Sequence, residues 1–146
     1  MKAKIYAYWT ATIILALELL VGGLADLAQR AEVTRVMAHL GYPSYFVVIL
    51  GAWKVAAVFA VLLPRFPRLK EWAYAGAIFE TTGAAASHAA AGDSLGNLLV
   101  PLAFALIAIV SWALRPSDRL LGSLQLAKHY ESSADHQQHA SLDSRA

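Results

Sequence analysis

GAWKVAAVFAVLLPRFPRLKEWAYAGAIFETTGAAASH, residues 51–88, reads as two apolar spans joined by a basic turn. Each span carries one charge near its middle, Lys54 in the first and Glu80 in the second. An unpaired charge at bilayer depth costs roughly 2.5–3.5 kcal/mol on insertion scales, so such residues face a bundle interior and find a partner there. The rest of the chain has to supply that interior.

Composition agrees. The 146 residues are 58% hydrophobic and 15% charged, whereas a soluble domain carries about 25% charged residues. Mean hydropathy is +0.50, and the apolar residues fall in blocks long enough to cross a bilayer. The absence of cysteine excludes disulfide exchange, thiolate nucleophiles and Cys-ligated metal or iron–sulfur centres. The pI is near 9.0, but the basic residues flank apolar blocks. There they act as topology signals and headgroup contacts. The expected partner is the lipid bilayer, with no nucleic acid.

Outward from the opening stretch, Met1–Lys4 is a short basic start and Ile5–Leu24 an apolar block. Glu18 within this block, and the lack of a small-x-small cleavage site, read as a retained span rather than a signal peptide. In Ala25–Tyr42, Leu27, Ala31, Val33 or Thr34, and Met37 recur at helical spacing with Arg30 and Arg35 between them, the pattern of a short amphipathic helix at the interface. The spacing predicts spans at about 5–24, 44–63, 71–91 and 95–114, within a membrane domain of about 116 residues. From Ser117 the composition turns polar, and residues 117–146 read as a largely disordered cytoplasmic tail. A short surface helix is expected there near Leu120–Tyr130. His129, His136 and His139 are scattered in that tail, and no metal site is expected. The fold class is therefore all-α: an integral membrane four-helix up-down bundle, with a short interfacial helix between spans one and two.

Lys2, Lys4, Arg65, Arg68, Lys70, Arg115 and Arg119 fall on one side of this arrangement, against Arg30 and Arg35 on the other. By the positive-inside rule both termini are cytoplasmic. With a helical rise of 1.5 Å per residue, Glu80 stands about 10 Å above the cytoplasmic end, Lys54 about 14 Å, Glu18 about 20 Å and His88 about 22 Å. All four are expected to line one polar column. Gly76, Glu80, Gly83 and Ser87 share a stripe, as do Ala7, Ala11, Glu18 and Gly22, and Gly51, Lys54 and Ala57. Small residues on a stripe form the usual close-packing face between membrane helices. Pro101 frees the carbonyl of Asn97, which with Asp93 and His88 predicts a polar mouth at the outer end. The binding-pocket candidates are Glu18, Lys54, Glu80, Ser87, His88, Asp93 and Asn97. Glu80, Lys54 and His88 are the candidates for acid–base chemistry. Two carboxylates against one lysine leave an excess negative charge, so one carboxylate carries a proton or His88 is cationic.

HLGYPSYF at 39–46, LGAWK at 50–54, PRFPRLKEWAYAG at 64–76 and GAAASHAAAGD at 83–93 resemble the DoxX-like family of small bacterial four-helix membrane proteins. The resemblance covers about residues 5–115 and carries over Lys54, Glu80, Ser87, His88, Gly92 and Asp93. It implies the bacterial cytoplasmic (inner) membrane and an association with quinol-linked oxidoreductase complexes, and it transfers no catalytic role.

Two readings of function stand. In one, a quinone or other hydrophobic molecule enters between helices and meets Lys54, Glu80 and His88, with Trp53 and Phe79 flanking its ring, in support of membrane redox chemistry. In the other, the ion pair fixes helix register and the protein is a structural or assembly subunit of a membrane complex. A homo-oligomer is compatible with both. A haem is not expected, since His88 has no facing histidine within a span.

Overall fold

The computed structural model describes residues 2–64 and 66–116. Arg65 and the tail, with its expected helix and histidines, lie outside the described residues. Five helices follow in order: α1 (Lys2–Leu27), α2 (Ala31–His39), α3 (Ser44–Leu62), α4 (Pro67–Ala90) and α5 (Leu95–Ala113). Among the described residues there is no strand.

Three of these helices, α1, α3 and α5, are long and apolar enough to cross a membrane. The fourth expected span, α4, has 24 residues, a length of about 36 Å. Its Lys70, Glu71, Glu80, Thr81, Thr82, Ser87 and His88 keep it below the apolar content of the other three. The helices bury one stripe each, and many large apolar side chains, including Leu17, Val21, Phe59, Leu99 and Leu106, stay exposed. A surface of that kind belongs in a membrane.

Packing links α1 to α3 and α5, and α4 to α5 and α3, while α2 rests on α3 and α1. The core consists of Leu15 and Leu19 of α1, Val58 and Val61 of α3, Tyr74 and Ala77 of α4, and Ala108 of α5. Within it lies a polar chain that the sequence did not announce. Thr12 Oγ1 donates to the Tyr8 carbonyl at 2.7 Å, so it accepts from Ser111 Oγ at 2.7 Å. Ser111 in turn accepts from the Tyr74 hydroxyl at 2.8 Å. One proton per oxygen fixes the direction of the chain and satisfies each buried hydroxyl.

Helix ends follow local chemistry. Leu63-Pro64 closes α3, and Pro67 opens α4 at a position where its missing N–H costs nothing. Lys70 was expected at the headgroups, yet it is 1% exposed. Its Nζ turns back to donate to the carbonyls of Ala60 at 2.9 Å, Val61 at 2.7 Å and Leu63. An ammonium there satisfies carbonyls the helix leaves over and complements the negative end of its dipole. Arg115, also expected at the headgroups, is buried over the Tyr74 ring and bonds Glu71 at 2.7 Å.

The small residues divide into two kinds. Gly23 and Gly51 sit where α1 and α3 cross. A Cβ on Gly51 would lie 2.8 Å from the Gly23 carbonyl, and one on Gly23 would lie 2.9 Å from Lys54 Cβ. The stripe of α4 does not pack this way, because a Cβ on Gly76 or Gly83 would meet nothing within 4 Å. There the missing side chains leave space instead of closing it.

Gly51→Ala should therefore lower stability by about 1–3 kcal/mol through overpacking, despite alanine's better helix propensity. Gly83→Ala should be neutral or stabilising. Thermal unfolding of both variants in one detergent checks this, and a Gly51→Ala protein as stable as wild type would contradict it.

Candidate functional site

The Gly23–Gly51 crossing delivers the last turns of α1 onto the middle of α3, where Lys54 stands. Lys54 Nζ lies 3.0 Å from Asp26 Oδ2 and 2.9 Å from Glu80 Oε1. It is also 3.5 Å from the point where a Cβ on Gly22 would be, and Glu18 Oε1 is 3.6 Å from that same point. Gly22 thus lets the heads of Glu18 and Lys54 converge. Three carboxylates from two helices surround one ammonium. Glu18 Oε2 is buried with no hydrogen-bond partner, and Asp26 Oδ2 faces the ammonium without hydrogen-bond geometry. Removing these charges from water is costly, and their attraction offsets the cost only while the set is complete.

A cavity of about 500 Å³ adjoins this cluster. Asp26, Glu32, Tyr42, Lys54, Glu80 and His88 supply its polar groups. Val33, Val36 and Met37 of α2, with Leu40 at its cap, roof it, and Phe46 and Phe79 line its walls. A second cavity of about 310 Å³ lies between α3 and α4, with Lys54 and Glu80 again in its lining. The ion pair stands between the two.

The rim of the first cavity is built from two helix ends of the same design. At the end of α2, Gly41 has φ 83°, its N–H bonds the Ala38 carbonyl and the Tyr42 N–H bonds Met37. At the end of α4, Gly92 has φ 74°, its N–H bonds Ala89 and the Asp93 N–H bonds His88. Both are Schellman turns, which need the left-handed conformation that glycine adopts without strain. The turn sets the Asp93 side chain beside His88, and Asp93 Oδ2 accepts from His88 Nδ1 at 2.6 Å. Asp93 Oδ1 accepts from His39 Nε2 at 2.9 Å, tying α2 down. Ser87 Oγ donates to the Gly83 carbonyl at 2.9 Å and accepts from Tyr42 at 2.8 Å, a second tie. The hydrogen bonds from His88 and then His39 hold the Asp93 carboxyl below its ordinary pKa.

Of the residues singled out from sequence, Lys54, Glu80 and His88 line one cavity, and Glu18 lies directly behind Lys54. Ser87 and Asp93 serve the rim. Asn97 is exposed, and its backbone N–H bonds the Ser94 carbonyl, so it does not join the group. Trp53 and Phe79 line different cavities. Asp26, Glu32, His39 and Tyr42 were missed. For Asp26 a signal was present: Glu18, Gly22 and Asp26 follow at spacings of four, one stripe of a helix that runs on to Leu27. Among the described residues, no three His, Asp or Glu side chains are arranged to hold a metal ion.

A model of the DoxX-like family matches residues 10–111 of the chain. No curated protein and no solved structure gives a match.

Lys54→Met should cost about 3–5 kcal/mol, because it leaves buried carboxylates without their cation. Adding Glu80→Leu should restore only part of that loss, and Asp26→Leu on top of both should restore more. Full recovery in the double variant would show that Asp26 is not part of the set. For Asp93 the folded pKa is depressed, so its contribution is complete above the unfolded value of about 3.9 and is lost as pH falls through the folded one. The melting-temperature gap between wild type and Asp93→Asn should persist down to about pH 4 and close below it.

Proposed function

We propose that this chain, which belongs to the DoxX-like family, is a four-helix up-down bundle of the bacterial inner membrane that binds a small hydrophobic molecule, a quinone by preference. The finding that carries the reading is a cavity of about 500 Å³ that has Lys54, Glu80, Asp26 and His88 at its edge. Sites of that size, mostly apolar with a few convergent polar groups, are the usual form of a small-molecule pocket.

Contacts between helices support the bundle. Glu71 and Tyr74 at the start of α4 meet Arg115 and Ser111 at the end of α5. Lys70 at the start of α4 meets Ala60 and Val61 near the end of α3. Neighbours therefore run in opposite directions. With α1, α3, α4 and α5 crossing the bilayer, both termini face the cytoplasm, and α2 and the rim lie on the outer side. The carboxylates of α4 are tolerable at depth because each has a cationic or hydrogen-bonding partner.

In the pocket, Lys54 is a donor suited to a quinone carbonyl, His88 Nε2 is an acceptor suited to a quinol hydroxyl because the ring's Nδ1–H is given to Asp93, and Phe46 and Phe79 offer apolar walls. A bound quinone supplies two-electron redox chemistry. The protein holds its head group and keeps carboxylates within reach for protons. The chain serves as an accessory to membrane redox complexes. The competing assembly-subunit reading draws on the fully satisfied Tyr74–Ser111–Thr12 chain, which serves packing alone, but it leaves the cavity unexplained.

The test is mass spectrometry of small molecules that co-purify with wild type and with Gly83→Leu, a substitution in the cavity lining at a place where a Cβ meets nothing within 4 Å. A quinone or other defined molecule present in wild type and lost from the variant is expected. Identical profiles from two equally folded proteins would overturn the reading and favour a scaffold.

A further inference from the structure

We infer that the ligand is a single-tailed amphiphile with an uncharged head, the head seated under α2 and the tail lying in the α3–α4 groove. The inference rests on the pocket reading above and adds to it the shape and charge of the molecule.

The two cavities adjoin at Leu50, Lys54 and Glu80, which line both. Beyond that junction their character diverges. The roofed cavity gathers the polar groups. The groove of about 310 Å³ has walls made of Ala57 and Ala60 on α3 and Ala73, Gly76 and Ala77 on α4. Trp53 and Trp72 flank it, 70% and 75% exposed, so it opens sideways to whatever surrounds the protein. In a bilayer that is hydrocarbon. From Glu80 to Trp72 the groove follows α4 for about 12 Å, room for a chain and not merely for a ring.

The junction decides the occupant. An acyl chain of bulk lipid can lie in any apolar groove, but its head stays at the membrane surface. This groove ends on Lys54, the eleventh residue of the 19-residue α3, well inside the span. A molecule that fills both cavities brings its polar end to that depth, and it needs a head compact enough to be desolvated there. The head's charge follows from the cluster. Glu18, Asp26, Glu32 and Glu80 outnumber Lys54, so an anionic head meets repulsion and an unpaired burial cost. An uncharged head can accept from Lys54 and donate to the carboxylates or to His88 Nε2. Fatty-acid anions are thereby excluded.

Gly76 gives a clean test, since it lines the groove and a Cβ there meets nothing within 4 Å. The full chain in lipid nanodiscs is titrated with a decyl-substituted benzoquinone and with the same ring bearing methyl in place of decyl. Binding is read by quenching of tryptophan fluorescence, in wild type and in Gly76→Leu. Bilayer partitioning is the same for both proteins and cancels in the comparison. Gly76→Leu should weaken the decyl probe by about tenfold or more and leave the tailless probe unchanged. Decanoate should displace neither. The inference is overturned if Gly76→Leu leaves the decyl probe unaffected, if it weakens both probes equally, or if decanoate competes. If neither probe binds wild type, the quinone-pocket reading fails and this inference fails with it.

Discussion

One ammonium group organises the polar interior. Lys54 Nζ reaches Glu80 across to α4 and Asp26 across to α1, with Glu18 beside it. Its surroundings exist because two glycines let the backbones of α1 and α3 nearly touch, which no other residue type permits at a 2.8 Å approach. Close contact on one side of α3 then brings in the charges, and the charges hold α4 away on the other side. The α3–α4 seam is looser than the α1–α3 and α4–α5 seams, and both cavities border it. In the α1–α3 seam the glycines make room for the Lys54–Asp26 contact within a tight crossing, whereas in the α3–α4 seam the Lys54–Glu80 pair is bordered by open volume.

The two ends of the molecule answer to different constraints. Where α4 begins, polar groups are consumed by structure. Lys70 saturates carbonyls of α3, Arg115 holds Glu71, and Tyr74, Ser111 and Thr12 pass hydrogen bonds in one direction to the Tyr8 carbonyl. Where α4 ends, polar groups sit on a rim. His39, Asp93 and His88 share one carboxylate, Tyr42 holds Ser87, and α2 has no buried residue of its own. Just beyond the caps of α2 the chain takes positive φ on both sides, Gln29 at 48° and Gly41 at 83°. A short helix attached by two such turns and a few exposed hydrogen bonds is the least anchored element described, and it is the one that roofs the cavity.

Hydropathy, and charges stranded in apolar runs, made much of this legible. Blocks of apolar residues gave the helices to within a few positions, and Lys54 and Glu80 were paired because neither is tolerable alone at depth. What was illegible depended on helix ends and on three-dimensional choice of partner. Asp26 looked like loop because α1 continues past the apolar run. Lys70 looked like a headgroup contact because nothing in a basic turn tells which side chain folds back onto the preceding helix. Thr12 and Ser111 are each unremarkable in an apolar helix, and only their meeting makes a network. Gly76 and Gly83 were read as packing residues, yet the same spacing can line an empty groove. A small residue states that space exists and leaves open what fills it.

That ambiguity has a physical root in the solvent. In water, a groove walled by Ala57, Ala60, Ala73 and Ala77 would collapse or be filled, since exposed apolar surface drives its own burial. In a bilayer the surrounding chains are as apolar as the walls, so closing the seam gains only packing and no hydrophobic free energy. Omitting side chains is then enough to keep a groove open, provided that something polar props its end. The Lys54–Glu80 pair does so here, and the geometry that makes it expensive to bury also keeps α3 and α4 apart.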